Sequence, residues 1–147
     1  MSIEATLLED MKAAMKKGDS IRVETIRLLR AQIKNASLGR KEPLPESSVL
    51  AILSKEAKKH KESIALYQQG GRDDLVQNET RELDIIQSYL PEAMSGTEID
   101  ALVSQCISQT HAEGMKDIGK VMSMIMPLIK GRADGKIVQE RVRELLS

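Results

Sequence analysis

The chain has very few aromatic residues and a single cysteine. Its 147 residues include no tryptophan and no phenylalanine, and the two tyrosines are Tyr67 and Tyr89. The hydrophobic core must therefore be built from leucine, isoleucine, valine, alanine and the eight methionines, which make a core pliable. Cys106 has no partner for an internal disulfide and lies on an apolar helical stripe, so we expect it to be a small buried hydrophobe.

Long apolar runs and a bias of charge are also absent. No run approaches the roughly 20 apolar residues that span a bilayer, and there is no apolar core of a signal peptide. Glu4, Glu9 and Asp10 are unsuited to a transit peptide. Lysine plus arginine equals aspartate plus glutamate, at 22 each, so binding to nucleic acid would need a local patch. We therefore expect a cytoplasmic protein that does not bind membranes.

The apolar residues that are present recur at three- and four-residue spacing along most of the chain, which predicts amphipathic helices. No segment shows the alternation of a strand between hairpin turns. We therefore predict an all-α fold of two small helical domains. A four-helix N-terminal domain covers residues 1–90, and a three-helix C-terminal domain covers 97–147, with the boundary between Pro91 and Gly96.

Glycine stops and polar caps predict where the helices begin and end. Pro127 lies inside an apolar pattern, where proline predicts a kink or an early end, and Pro91 predicts the end of the fourth helix. Thr97 and Asp100 resemble a capping box. At three junctions a glycine is predicted to end one helix and an aspartate to cap the next: Gly18 with Asp19, Gly71 with Asp73 or Asp74, and Gly131 with Asp134.

Two groups of basic residues interrupt this neutral sequence. The more C-terminal group surrounds the segment from Lys130 to Lys136, which we call the basic turn and which joins two apolar stripes into a predicted helical hairpin. Cations in so small a domain are candidates for phosphate contacts, which dominate affinity for nucleic acid. The candidate RNA-binding residues are Lys120, Lys130, Arg132, Lys136, Arg141 and Arg143.

The other basic group surrounds His60 on the third helix. Acidic residues within helical pairing distance dilute its charge, so we expect a solvated face. The lysines are Lys55, Lys58, Lys59 and Lys61, and the acids are Glu56 and Glu62.

Recognisable catalytic motifs are missing. His60 and His111 are the only histidines, and neither has the spacing of a metal site, so we predict no metal and no cofactor. Gly114 to Lys120 matches the start of a phosphate-binding P-loop, but Val121 stands where that motif needs serine or threonine. The residues offer no self-sufficient catalytic constellation. Because aromatics are nearly absent, bound RNA would be recognised by shape and backbone rather than by base stacking.

Several short motifs together give the chain a resemblance to the GatB/YqeY family, and in particular to its free-standing YqeY-like branch. The match runs nearly end to end. Its most specific pieces are Gly71-Arg72-Asp73-Asp74-Leu75, Tyr89-Leu90-Pro91-Glu92, Gly119-Lys120-Val121-Met122, and the basic turn with the following Val142-Arg143.

The resemblance implies a helical module like the C-terminal tail of the B subunit of the tRNA-dependent amidotransferase. In that enzyme, the tail contacts tRNA while other parts carry the chemistry. For this chain, the resemblance therefore implies that tRNA or another folded RNA is the ligand. It also implies that an amidotransferase or an aminoacyl-tRNA synthetase is the partner. Families of this type are grouped with carbon–nitrogen ligases that use glutamine as amide donor, but this chain lacks the glutaminase and the ammonia channel.

Two alternatives stand beside RNA binding. The chain could be a helical adaptor that offers Met122, Met124 and Met126 to a protein partner, because three methionines so close cannot all face one core. It could also be a ligase in its own right, which would require a cleft containing Asp73, Asp74 or Glu82 and a bound nucleotide.

Overall fold

The protein is described here by a computed structural model, which covers residues 2–147. Within that range the regular secondary structure is entirely helical, which confirms the predicted all-α class. The described residues form seven α-helices and one short 3-10 helix, Met115–Asp117, joined by loops. The α-helices are α1 (Ile3–Lys17), α2 (Ser20–Ala36), α3 (Glu46–Gln69), α4 (Asp73–Gln87), α5 (Gly96–Thr110), α6 (Ile118–Ile129) and α7 (Gly135–Leu146).

Close contacts between helices divide the chain into two compact units, residues 1–91 and 92–147. The first unit contains α1 to α4, and the second contains α5 to α7. Across residues 2–147, every helix is too short or too polar to cross a bilayer.

The first unit packs its four helices around one apolar core. The contact between α3 and α4 is the most extensive, and α2 packs against both of them. The hydroxyl of Tyr89, just after α4, donates a hydrogen bond to the Asp10 carboxylate in α1, which ties the two ends of this unit together. The buried apolar residues are Leu7, Ile26, Leu29, Ile33, Val49, Leu53, Ala57, Leu83, Ile85 and Ile86.

The second unit has its own core, built where α5, α6 and α7 meet. Cys106 is buried there as predicted, and burial raises the pKa of its thiol. Partly buried Met122 and Met124 pack around the same core. The buried residues are Val103, Cys106, Val121, Ile125, Ile129, Val138 and Val142.

Two of the predicted helix junctions are confirmed in detail. Gly18 ends α1 with φ of 73°, and the carboxylate of Asp19 accepts a hydrogen bond from the backbone N–H of Arg22. In the basic turn, Gly131 has φ of 76°, and the Asp134 carboxylate accepts from the N–H of Lys136. Both junctions combine left-handed backbone, which glycine adopts without strain, with a carboxylate cap.

The predicted start of α5 is wrong by two residues. Ser95 caps this helix: its side chain accepts a hydrogen bond from the N–H of Glu98, and its hydroxyl also lies 3.4 Å from the Glu98 carboxylate. Thr97 and Asp100 are instead residues inside the helix. Both pairs have the spacing of a capping box, and spacing alone could not choose between them.

Three other predicted helix ends also need correction. Asp73 and Asp74 are the first residues of α4 rather than its caps, since Arg72 occupies the cap position and its side chain makes no capping bond. That helix ends at Gln87, before Pro91. Pro127 does not end α6, which continues to Ile129. Because proline has no N–H, α6 lacks the bond that residue 127 would make to the carbonyl one turn earlier, and the kink stays a prediction.

Candidate functional site

The helical hairpin of α6 and α7 carries most of the predicted RNA-binding residues, and its two helices run antiparallel. At one end, a Cβ atom added to Gly135 would lie 3.3 Å from Cε of Met126. At the other end, a Cβ atom at Gly114 would lie 4.0 Å from the carbonyl oxygen of Leu146. The basic turn therefore forms one end of the hairpin, and the C-terminus of α7 lies beside the entry to α6.

Arg132, in the basic turn, is held by residues at the start of the second unit. Its Nε donates to the carbonyl oxygen of Glu92 at 2.9 Å, and its Nη2 donates to the Glu98 carboxylate at 3.1 Å. Its own carbonyl accepts from the N–H of Met94 at 2.9 Å. Arg132 therefore fixes the basic turn against the segment that leads into α5, and its charge is largely neutralised there.

Arg141, on α7, is held in the same way by α5. Its guanidinium makes a two-pronged ion pair with Asp100, and its Nη1 donates to Glu144 at 2.6 Å. The hydrogen bonds from Arg141 hold the pKa of the Asp100 carboxyl below its ordinary value, and burial opposes them only in part. This residue cross-links α5 and α7 across the surface of the unit.

Lys120 lies in the first turn of α6, where its ammonium is 3.7 Å from the Asp117 carboxylate. Asp117 occupies the N-cap position of α6, but its side chain makes no capping bond to that helix. Its carboxylate accepts a hydrogen bond from the N–H of Glu113 instead. That bond, followed by the charges of Lys120 and Lys116, keeps the pKa of Asp117 low. Because the Lys120 side chain is 70% exposed, this pairing is weak.

Three of the six candidates are exposed and have no ion pair among the described residues: Lys130, Lys136 and Arg143. Lys130 and Lys136 flank the basic turn, whereas Arg143 lies near the other end of α7, about 10 Å from Lys136 at 1.5 Å per residue. Glu140 lies between them on the same face of α7. Lys130 and Lys136 thus remain as the exposed cations of the basic turn without an ion pair in the described range, whereas Lys120 and Arg143 lie towards the other end of the hairpin.

Of the three methionines that the adaptor alternative requires on the surface, one is exposed. Met122 and Met124 pack against the core, whereas Met126 is 44% exposed. Other apolar residues of the hairpin are exposed nearby, including Leu128 and Ile137. Sequence spacing had indicated that some of these methionines must face outward, and the structure identifies which.

A groove in the first unit brings three further cations together. It lies along α1 and α2, has a volume of about 680 Å³, and is lined on one side by Arg27, Arg30 and Lys34. Glu4 and Leu8 are among the residues of α1 that line it. Helical spacing along α2 does not by itself show that these three cations line a groove with α1.

The acids needed by the ligase alternative do not meet in one cleft. Asp73 and Asp74 lie in the exposed first turn of α4, where Asp74 pairs with Arg72. Glu82 lies about 12 Å further along the same helix, at 1.5 Å per residue. It is hydrogen-bonded to His60 of α3.

His60 does not lie on the solvated face that the sequence predicted for the basic group around it. The lysines around it are exposed as predicted, but His60 itself is buried, with 7% of its surface accessible. Its Nδ1 lies 2.9 Å from the carbonyl oxygen of Glu56, and its Nε2 lies 2.9 Å from Glu82 and 3.6 Å from Glu79. The two glutamates lie one helical turn apart on α4, so no spacing within α3 could have revealed them.

The sequence is similar to fungal proteins named "Altered inheritance of mitochondria protein 41, mitochondrial". The protein from Pyrenophora tritici-repentis is 34% identical over 143 residues, which cover 95% of this chain and 78% of the relative. The relative from Eremothecium gossypii is 41% identical over 87 residues, 58% of this chain and 48% of its own length. The one from Lachancea thermotolerans is 36% identical over 108 residues, 71% of this chain and 58% of its own. The matches thus cover only about half of the length of the latter two relatives.

These names contradict the expectation of a cytoplasmic protein, because the relatives are named as mitochondrial. That expectation was drawn in part from Glu4, Glu9 and Asp10. In the structure these acids belong to α1, a helix that buries Leu7 in the core. They therefore reflect the folded domain and carry no information about the compartment.

The family assignment, in contrast, agrees with the motifs quoted above. The model of the family described as "Yqey-like protein" matches residues 4–146. The match includes all seven α-helices except the first residue of α1, and it covers the basic turn and the His60 region alike. The chain therefore belongs to the YqeY-like family.

Proposed function

We propose that this protein binds folded RNA, with tRNA as the first candidate, through the basic turn. The observation that carries the proposal is the pair of exposed lysines, Lys130 and Lys136, which have no ion pair within residues 2–147 and which flank a turn of fixed geometry. Phosphate contacts from such cations dominate affinity for nucleic acid. The resemblance to the tail of the amidotransferase B subunit supports tRNA as the ligand and an amidotransferase as an associated enzyme.

The rigidity of the turn supports the same proposal. Arg132 is bound to Glu92 and Glu98, Gly131 is left-handed, and Asp134 caps α7. Lysines on a fixed turn lose less conformational entropy on binding than lysines on a mobile loop. We assign Arg132 and Arg141 to holding this surface, and Lys130 and Lys136 to phosphate contacts, with Lys120 and Arg143 contributing at the other end of the hairpin.

The test is binding of deacylated tRNA by the purified protein, measured by fluorescence anisotropy across a salt series. Neutralising both lysines, in Lys130→Gln/Lys136→Gln, should weaken binding and reduce the slope of log K against log salt by about one for each phosphate that is no longer neutralised. Lys16→Gln/Lys17→Gln is the matched control, because these two exposed lysines at the end of α1 carry the same charge in the first unit. The control should leave affinity and slope unchanged.

Three results would contradict the proposal. They are no binding of tRNA at low salt, an equal loss of affinity in the control, and unchanged binding in the double variant. A loss seen only in Arg27→Gln/Lys34→Gln would move the RNA surface to the groove along α1 and α2. Reversal of Arg132 is unsuitable as a test, because a carboxylate there would face Glu98 and disturb the turn itself.

A second candidate function, a protein adaptor, is favoured by the exposed apolar residues at the same end of the hairpin. Met126, Leu128 and Ile137 are 44%, 53% and 58% exposed. If they bind an amidotransferase, Met126→Glu/Ile137→Glu should abolish co-migration with that purified enzyme in gel filtration. Leu38→Glu, at a residue 71% exposed in the first unit, should not. Absence of co-migration for the unmodified protein would remove this candidate, whereas the RNA proposal depends only on the lysines.

A further inference from the structure

The cluster of His60, Glu79 and Glu82 lies between α3 and α4, far in sequence from the basic turn, and RNA binding gives it no role. Its three ligand atoms, one imidazole nitrogen and one oxygen from each carboxylate, lie within 4.8 Å of one another. We propose that these three side chains bind a divalent transition-metal ion of the zinc type.

The orientation of the His60 ring is the first argument. Nδ1 lies 2.9 Å from the backbone carbonyl of Glu56, and a carbonyl can only accept, so Nδ1 carries a proton. In the neutral ring, Nε2 therefore presents its lone pair to the two carboxylates of α4. A lone pair that faces two anions needs a positive charge between them. Without an ion, a proton on Nε2 supplies it through the hydrogen bond to Glu82, and a bound divalent ion would take the place of that proton. Histidines that bind metals usually donate their other ring N–H to a carbonyl or carboxylate in this way, which fixes the tautomer.

The distances are the second argument. Zinc lies about 2.0–2.1 Å from a histidine nitrogen and about 2.0–2.2 Å from a carboxylate oxygen. Two ligands of a tetrahedral ion are therefore roughly 3.3–3.5 Å apart. The separations of Nε2 from Glu82 and Glu79 are 2.9 Å and 3.6 Å, on either side of this value. Small rotations of the two glutamate side chains would centre an ion among all three groups.

Burial and access are consistent with a bound ion. The imidazole is nine-tenths buried, so its orientation is fixed by packing, whereas the side chains of Glu79 and Glu82 are 24% and 35% exposed. An ion can therefore enter from the carboxylate side. Three protein ligands leave the fourth position of a tetrahedral site for water or another ligand.

The surrounding charges come from both helices. On α3, the ammonium of Lys59 is bound to the buried Glu56 carboxylate at 3.4 Å, so one of the neighbouring cations is already paired. Lys55 and Lys61 of α3 are exposed and oppose a cation through solvent, where screening is strong. Two glutamates provide two negative charges, which a divalent ion neutralises more completely than a single proton. Imidazole as a ligand favours zinc and similar ions over magnesium or calcium.

The experiment is calorimetric titration of zinc chloride into the full chain after removal of metals by a chelator, with the thermal midpoint measured in parallel. We expect a single equivalent of zinc to bind and to raise the midpoint, because a ligand that binds only the folded state stabilises it. Glu79→Gln should weaken binding by at least about tenfold, and His60→Gln should weaken it further. Magnesium should give no comparable heat.

His111→Asn is the matched control. It removes the other histidine, which is exposed and lies outside the cluster, and asparagine tolerates the left-handed backbone at that position. This variant should bind zinc as the unmodified protein does. If His60→Gln fails to fold, Glu79→Gln still decides the question, since it leaves the hydrogen bond between His60 and Glu82 in place.

The proposal is overturned if the unmodified protein binds no zinc in large molar excess. It is equally overturned if Glu79→Gln binds zinc as tightly as the unmodified protein, if weakened binding follows His111→Asn, or if magnesium binds as tightly as zinc.

Discussion

At the scale of single residues, the ion pairs of the second unit decide which of its cations are available to a ligand. Arg132 and Arg141 resemble Lys130 and Lys136 in sequence, since all four are basic residues in or near one turn. The structure distinguishes them, because both arginines are bound to carboxylates at the start of α5. Arginine suits such a role because its planar fork binds a carboxylate through two parallel hydrogen bonds.

The pair of Arg141 and Asp100 predicts a pH dependence. The folded-state pKa of Asp100 is below its ordinary value of 3.8 because it accepts hydrogen bonds from Arg141. The pair therefore stabilises the fold fully above the unfolded pKa, and this contribution is lost as the pH falls through the lower, folded pKa. Arg141→Gln should raise the pKa of Asp100 towards its ordinary value, measured by NMR titration of the carboxyl carbon. Arg143→Gln, two residues away and unpaired among residues 2–147, should leave it unchanged; an unshifted pKa in Arg141→Gln would contradict the ion pair.

Gly131 gives a second prediction at this scale. Its φ of 76° is unfavourable for a residue with a Cβ atom, so Gly131→Ala should lower the free energy of unfolding by about 1–2 kcal/mol. Gly119→Ala is the control, because Gly119 lies in the first turn of α6 with open space around a Cβ atom. That change should be neutral or stabilising by up to about 1 kcal/mol. Urea unfolding of both variants measures the difference, and equal effects would mean that the turn is not left-handed.

At the scale of helices, the start of α5 tests how a cap is chosen. Ser95→Ala should lower the free energy of unfolding by about 1 kcal/mol, because it leaves the N–H of Glu98 without its side-chain partner. Thr97→Ala should change it little, since Thr97 lies exposed within the first turn. Chemical denaturation distinguishes the two variants. A larger destabilisation by Thr97→Ala would mean that Thr97, as predicted from the sequence, caps α5 and that Ser95 does not.

Helix existence and the apolar faces could be predicted from sequence because they depend on local spacing. In α3, for example, Val49, Leu53 and Ala57 recur at four-residue spacing, and all three are buried. Cap identity was less certain, because Ser95 with Glu98 and Thr97 with Asp100 have the same spacing. Local patterns therefore predicted the helices but not their first residues.

The candidate sites were predicted only in part, because they depend on partners from other helices. The chemistry of the basic turn was visible in the sequence, but the neutralisation of Arg132 and Arg141 required knowing that α5 packs alongside. His60 shows the dependence on partners from another helix more clearly. It was predicted to lie on a solvated face because its sequence neighbours are lysines, whereas its partners, Glu79 and Glu82, lie on α4 about 20 residues later.

At the scale of the whole molecule, each of the two units has a core of its own. The core of residues 92–147 is built from α5, α6 and α7 alone. A domain of about 60 residues buries only about 60% of the surface exposed by its unfolded chain, so its stability is marginal. The predicted division into two domains therefore requires that this small core be sufficient by itself.

We predict that residues 92–147, produced as a separate fragment, fold cooperatively with a free energy of unfolding below about 5 kcal/mol. Circular dichroism during urea unfolding measures both the helix content and the cooperativity. Val142→Asp should unfold the fragment, because Val142 is fully buried and the new charge would have no partner there. Ile137→Asp, at an exposed residue of the same helix, should leave it folded. A fragment that is unstructured by itself, although the same residues are helical in the full chain, would mean that the second unit is not an independent domain; a folded fragment that binds tRNA would place the RNA surface within it.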